Sequence, residues 1–214
     1  YEEGLVYRGH RVIHWCPRCL TSLSDEEAEP RETHGKLYYV TYRAADGSDR
    51  SITVATTRPE TISGDVAVAV NPADERYRDL VGTKVVLPLV GVEIPVIADE
   101  YVDASFGTGA LKITPGHDTN DFEVGRRHAL STPVVIDELG AMREVADASG
   151  RIPAPLTGLD RFEARDRIVE MLREAGALSK AEPHQHNVRA CYRCETVIEP
   201  RLSDQWFIAV NKTP

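Results

Sequence analysis

Apolar and polar positions alternate along most of this chain in short runs broken by glycine and proline, and that rhythm predicts strands more than helices. Strand-like runs occupy residues 4–15, 37–43 and 51–57, the last two joined across the turn pair Asp46-Gly47. Residues 66–70 form a continuous apolar run of strand length, and 84–90 and 92–97 follow, joined at Gly91; Pro88 and Pro95 favour edges or bulges for these two. Residues 110–114 alternate so that Leu111 and Ile113 share one face, which leaves Lys112 and Thr114 on the other. Residues 133–137 are a further strand, and 140–155 are turn-rich with little apolar pattern.

Helical signals are fewer. Residues 72–82 read as a short helix that starts near Pro72 and is closed by Gly82. Asp118 stands where an N-cap belongs, with Asp121 three residues on, and a helix can continue through residue 130. The clearest helix spans 160–175, capped by Asp160, with Phe162, Ile168, Val169, Leu172 and Ala175 as its apolar stripe and Gly176 at its end. Its Arg161, Arg165 and Arg167 read as a solvated face. Many short strands with a few helices predict a mainly β fold, a barrel or sandwich with flanking helices, without internal repeats.

Length adds that 214 residues suffice for one sizeable core. Charge changes the picture more: 34 acidic against 25 basic residues give a net charge of −9, which opposes nonspecific attachment to nucleic acid or anionic lipid. A polyanion would need a local basic patch, and Arg8, His10, Arg11, Arg18, His184, His186, Arg189, Arg193 and Arg201 offer one near the ends of the chain; exposed, solvated charge is the other reading. No apolar run approaches the roughly 20 residues of a membrane span, and Tyr1-Glu2-Glu3 opens no signal peptide. These features predict a soluble, cytoplasmic chain with no membrane partner. There is no initiating Met, and both ends run into patterned sequence, as expected of a piece of a larger protein or of a processed precursor.

All four cysteines fall in two Cys-x-x-Cys pairs, Cys16/Cys19 and Cys191/Cys194. Two residues between thiolates let both sulfurs face one ion, and two such knuckles complete a tetrahedral structural zinc site with no open position. A redox motif would need a following helix in a βαβ setting, whereas Leu20–Ser24 suggests a turn; plain thiols are the third reading. A zinc knuckle would tie the two ends of the chain together. It divides the sequence into entry strands with the first half-knuckle (1–35), a core (36–180), and a second half-knuckle with the return to a host protein (181–214).

The chemistry concentrates in residues 106–122, where a strand end meets a helix start and gathers Lys112, Thr114, Asp118 and Asp121 after Phe106. A second polar cluster, Thr57, Arg58, Glu60 and Thr61, lies at the mouth of another strand. Each residue has a plainer reading: Asp118 and Asp121 as a helix cap, Lys112 as an exposed strand lysine, Arg58 as a partner of Glu60 or Asp65, Phe106 as core. His117 invites a general-base role, yet no nucleophile-base-acid triad can be assembled around it.

Ala55-Thr56-Thr57-Arg58-Pro59-Glu60-Thr61, Ala67–Pro72, the run from Gly107 through Lys112-Ile113-Thr114-Pro115-Gly116-His117-Asp118-Thr119-Asn120-Asp121 to Gly125, and Leu202–Phe207 together resemble the inserted editing domain of valyl-tRNA synthetases. The resemblance covers nearly the whole chain. Isoleucyl enzymes typically carry Thr-Thr-Thr-Pro-Trp-Thr at the first motif and a glycine after the histidine of the second, and leucyl enzymes lack the Lys-Ile-Thr-Pro strand. The ATP-handling signatures of the synthetic domain are missing from these residues, so the resemblance implies no amino-acid activation by this piece.

What the resemblance implies is a β-barrel-like editing core and hydrolysis of threonine mistakenly attached to tRNA(Val), together with threonyl-adenylate. For valyl enzymes the synthetic pocket is the standing example of weak rejection, only about 10²-fold against threonine, with double-sieve editing supplying the rest. Threonine and valine have nearly one shape, so the second site must sort them by a buried hydrogen bond, worth roughly 1–3 kcal/mol. By resemblance Asp121 grips the substrate ammonium, and Asp118, with Thr57 or Thr61, serves side-chain selection. Lys112 and Thr114 face the ester and the terminal adenosine, Arg58 a phosphate or ribose, and Phe106 the adenine. Water attacks the ester while backbone donors and Lys112 stabilise the oxyanion, with no catalytic metal. The expected partners are the tRNA 3′ end carrying threonine and the rest of the synthetase. Two other classes stand beside this one: a noncatalytic zinc-ribbon RNA-binding module, and a metal-dependent hydrolase using His117, Asp118 and Asp121.

Overall fold

The computed structural model describes residues 5–143 and 151–209; the opening Tyr1-Glu2-Glu3 and part of the turn-rich stretch 140–155 lie outside the described residues. Ten strands and two α-helices occur among them: β1 (Val6–Cys16), β2 (Thr21–Leu23), β3 (Ala28–Ala44), β4 (Ser51–Thr56), β5 (Ala67–Val70), β6 (Lys84–Val86), β7 (Glu93–Ala98), β8 (Ala110–Ile113), α1 (Thr119–Arg127), α2 (Arg161–Glu174), β9 (Leu178–Cys191) and β10 (Glu199–Ile208). The mainly β class is as expected. The predicted helix at 72–82 is a short 3-10 segment, Glu75–Leu80.

The main sheet runs β4-β3-β6-β7-β5-β8, with β9 also paired to β3. Its two ends approach one another, since β8 packs beside β4, but no ladder joins them, so the sheet is barrel-like and open. β5 shows why its run is apolar throughout: Val68 and Val70 belong to the main core with Val40, Tyr42, Ile52 and Val54, while Ala67 and Ala69 join a second core with Ile113 and Val124 of α1. Lys112 lies opposite Val68 across the β5–β8 ladder and therefore projects toward the main core.

Pro95 lies in an interior strand, against the expectation of an edge. The reason is a change of partner: β7 pairs with β6 through residues 93–95 and with β5 through 96–98, so Pro95 sits where one ladder ends and the other begins. Residues 133–137 form no strand, only an isolated bridge from Ile136 to Met142, although Val135 and Ile136 are fully buried. Residues 20–24 contain the short strand β2 after a turn at Leu20.

Helix α2 is capped by Asp160 and followed by Gly176 at φ 65°, as read from the sequence, but its stripe is shifted. Ala164, Ile168 and Leu172 face the core together with Arg161, whereas Phe162 is exposed beneath the Arg161 and Arg165 guanidiniums. The solvated-face reading fails for Arg161, 2% exposed, and for Arg165; both serve buried carboxylates, while Arg167 pairs with Glu170 at the surface.

The ends of the described chain pair as β1 and β10, and β3 with β9 forms a long ribbon between that arm and the barrel. The boundaries placed at 35/36 and 180/181 fall inside this ribbon, where Gly35 stands opposite His184. No helix among the described residues is long and apolar enough to cross a membrane.

Candidate functional site

The cysteine site is built from two similar turns. In each, the residue after the second cysteine takes a left-handed backbone, Leu20 at φ 53° and Glu195 at φ 63°, and donates its N–H back to the carbonyl of the first cysteine at 2.9 and 2.8 Å. Non-glycine residues reach that region at a cost of about 1 kcal/mol, so a repeated use of it marks a geometry demanded by the four sulfurs. These lie within 4.8 Å of one another, with Cys16 and Cys191 fully buried beside Leu23, Ala28 and Ile198. Sulfurs around a tetrahedral zinc at about 2.3 Å would be ~3.8 Å apart, so the set fits a metal ion of that kind. Four of the nine basic residues read as a collar meet carboxylates: Arg8 and His10 meet Asp204, Arg193 meets Glu27, and Arg201 meets Glu138.

A separate cleft of about 340 Å³ occupies the open seam of the barrel. Ala55, Thr56 and Thr57 at the end of β4 form one wall, Leu111 and Lys112 of β8 the other; Thr114, Asp118 and Asp121 close one end, and Leu37, His184, His186 and Asn187 of the ribbon close another. Thr57, Arg58, Thr61, Phe106, Lys112, Thr114, Asp118 and Asp121 all line it, so every non-cysteine site candidate named from the sequence meets in one place. A larger groove of about 1150 Å³ between the terminal arm, the ribbon and both helices adjoins it through Thr57, Arg58, Asp118, His186 and Asn187, but Lys112, Thr114 and Asp121 are not part of its lining.

The floor of the cleft is a buried polar cluster. Lys112 Nζ donates to Thr61 Oγ1 and Asp65 Oδ1, each at 2.9 Å, and to Thr114 Oγ1. All three ammonium protons are thereby engaged. The fully buried Asp65 also accepts from Thr114 Oγ1 at 2.5 Å and from Tyr42 at 2.7 Å. Burial pushes the Asp65 carboxyl up from its ordinary value, against the pull of Lys112 and the two hydroxyls. The exposed-lysine reading of Lys112 is thus excluded by its 7% exposure.

Asp121 is buried in the first turn of α1 and accepts the Thr114 amide at 2.9 Å. Burial first, then the charge of Asp118, raises its carboxyl from 3.8 to about 7. Asp118 is exposed and caps α1, accepting the amides of Asn120 at 2.8 Å and Asp121 at 3.0 Å. The tight entry to the helix depends on Gly116, where a Cβ would stand 2.3 Å from the Pro133 carbonyl oxygen. Phe106 is 61% exposed at the rim, which excludes its core reading.

Arg58 is committed to protein partners: Glu60 at 3.1 Å, the His117 carbonyl at 3.1 Å and Glu199 at 2.5 Å. Glu199 in turn holds Arg161 at 2.8 Å, and Glu60 holds Arg165 at 2.8 Å. Burial opposes charge on Glu199, but Arg58, His117 and Arg161 outweigh it and hold its pKa down to about 2. His117 is buried, and its Nε2 accepts the Val135 amide at 2.8 Å, so that lone pair is not available to a substrate proton; burial lowers its pKa. Glu199 and Tyr42 have no assigned part in the sequence reading of the site, and Asp65, named there as a possible partner of Arg58, pairs with Lys112 instead. A signal for Asp65 existed, since a lysine on the inward face of a strand requires a buried counter-charge.

An open barrel carrying a polar cleft and an appended Cys₄ knuckle narrows the class of protein, and comparison defines it. Residues 1–213 match the family described as tRNA synthetases class I (I, L, M and V), and the chain belongs to that family. Its relatives include the valine–tRNA ligase of Carboxydothermus hydrogenoformans, 58% identical over 211 residues, and that of Thermotoga maritima, 54% identical over 211 residues. Each alignment covers 99% of this chain and 23% or 24% of the relative, so the chain spans about a quarter of the length of these proteins. The likeness to the valyl enzymes read from the motifs is upheld. A solved structure, the ternary complex of Agrobacterium radiobacter K84 LeuRS with tRNA and LeuAMS, shares the fold over 94% of this chain and 34% of its own, at a TM-score of 0.52 and 18% identity.

Proposed function

We propose that this chain is the editing domain of a valyl-tRNA synthetase and hydrolyses threonyl-tRNA(Val), and threonyl-adenylate, in the seam cleft. The observation that carries the reading is the gathering of Thr57, Arg58, Thr61, Phe106, Lys112, Thr114, Asp118 and Asp121 around one cavity of small-ligand size. The substrate ammonium binds at Asp121, whose charge is costly until a cation arrives beside it and Asp118. Phe106 offers an exposed face to the adenine at the rim.

Water attacks the aminoacyl ester, and backbone amides stabilise the oxyanion. Lys112, with its protons engaged inside the cluster, supports that charge through its field. Arg58 shapes the wall by fixing the residue-117 carbonyl and Glu199 instead of reaching for a phosphate. The partners in this reading are the tRNA 3′ end carrying threonine and the rest of the synthetase, in the cytoplasm, with zinc in the knuckle as a structural ion. Among the described residues the cysteine set is the one group of possible ligands spaced for a metal ion, which weighs against the metal-hydrolase class.

The test offers threonyl-tRNA(Val) to the chain and to Asp121→Ala, with and without chelator. The reading requires hydrolysis by the wild type, its loss in the variant, and survival of activity in any chelated sample that stays folded. Activity that vanishes with the metal while the fold persists would replace it with the metal-hydrolase reading.

A further inference from the structure

The hydrogen bonds under the cleft fix where every proton of the cluster goes. Tyr42 donates to Asp65 Oδ2, the Thr114 hydroxyl donates to Asp65 Oδ1, the Thr61 hydroxyl donates to the Arg58 carbonyl at 2.9 Å, and Lys112 donates to Thr61, Asp65 and Thr114. A hydroxyl has one proton and two lone pairs. Thr61 Oγ1 and Thr114 Oγ1 have each given their proton away and taken one from Lys112, so each has a single lone pair remaining and nothing to donate. Both residues line the cleft. Asp65 lies beneath them, fully buried and absent from the cleft lining, and it is the acceptor that takes the Thr114 proton, while the Arg58 carbonyl takes that of Thr61.

We propose that Asp65 is a positioning residue for substrate choice: it locks Thr114 as an acceptor only, beside Thr61 whose proton the Arg58 carbonyl holds, so that the site recognises a substrate side chain that donates a hydrogen bond. This rests on the editing reading and specifies it further. A threonine β-hydroxyl gives its one proton to a remaining lone pair of these oxygens. A valine methyl leaves those remaining lone pairs without a donor in a buried cleft, and so does any isostere that accepts but does not donate. Without the Asp65 oxygen, the Thr114 hydroxyl is free to turn its proton toward the cleft, and the site's preference for donors over acceptors weakens.

The experiment compares three esters of tRNA(Val) on the 214-residue chain: threonyl, valyl, and the threonine analogue with fluorine in place of the β-hydroxyl, which resembles the hydroxyl in size but has no proton to donate. The wild type is expected to clear the fluoro ester about 10-fold or more slowly than the threonyl ester and close to the valyl rate. Asp65→Ala, which removes the acceptor itself, is expected to narrow the threonyl-to-fluoro ratio by about 10-fold, a change that a loss of fold alone, which slows all three alike, does not produce. Thr114→Val is the companion variant where Asp65→Ala fails to fold; it removes one acceptor and brings the threonyl rate toward the valyl rate. A wild type that clears threonyl and fluoro esters alike, or an Asp65→Ala chain that keeps the wild-type ratio, overturns the proposal and leaves editing intact. A wild type that leaves all three esters whole refutes editing itself, and the proposal falls with it.

Discussion

Asp121→Asn should stabilise the fold at alkaline pH while abolishing activity. A carboxyl raised from 3.8 to about 7 binds its proton more tightly folded than unfolded. The folded state therefore holds more protons than the unfolded one between those values, and stability falls as pH rises through that window. At about 1.4 kcal/mol per pH unit, the move is worth at most ~4 kcal/mol. Relaxation and water entry should leave about half, ~2 kcal/mol. An asparagine keeps an oxygen for the Thr114 amide and has no charge to bury. For a chain of this length ~2 kcal/mol corresponds to a rise of about 4–8 °C in Tm. Thermal unfolding followed by circular dichroism at pH 4.5 and pH 8 reads it: about a quarter of the gain at the lower pH, nearly the full gain at the higher. A variant less stable than wild type at pH 8, or a gain independent of pH, would refute the reasoning.

Other outcomes follow from the same geometry. The apparent affinity for an aminoacyl ester should strengthen as pH rises from 6 to 7.5, because Asp121 must ionise to meet the ammonium; KM should fall across that range, where the carboxyl of the free chain gives up its proton. Glu199→Gln leaves the buried Arg161 guanidinium without its counter-charge and Arg58 with Glu60 alone, and should cost about 3–5 kcal/mol in urea unfolding. Gly116→Ala drives a methyl against the Pro133 carbonyl and should cost about 1–3 kcal/mol or more, with the helix α1 end of the cleft displaced and hydrolysis slowed. Removing metal with a chelator should unfold the knuckle, seen as a lower Tm that added zinc restores.

Local physics explains what the sequence made legible. Strands β1, β3–β5 and β8 alternate or run apolar against a core, and both helices carry aspartate caps, so residues near in sequence suffice to define them. Strands β9 and β10 escaped because their alternation is between half-exposed polar residues, as in His184, His186 and Asn187, and their pairing partners lie at the far end of the chain. Arg161 looked solvated because its partner Glu199 is 38 residues away, and only the fold brings them to 2.8 Å. Phe162 looked buried because a hydrophobic stripe was the simplest use for it. At the site, Lys112, Thr114 and Asp121 were legible through a strand, a turn and a cap in direct succession. Asp65 was not, because its role depends on a ladder that brings β8 beside β5.

The measurement that bears most directly on the central claim is the ratio of deacylation rates for threonyl-tRNA(Val) and valyl-tRNA(Val) under single-turnover conditions with this 214-residue chain. The account predicts that threonine is released at least about 10-fold faster than valine, the return expected from one buried hydrogen bond that valine does not make. Equal release of the two amino acids would contradict it.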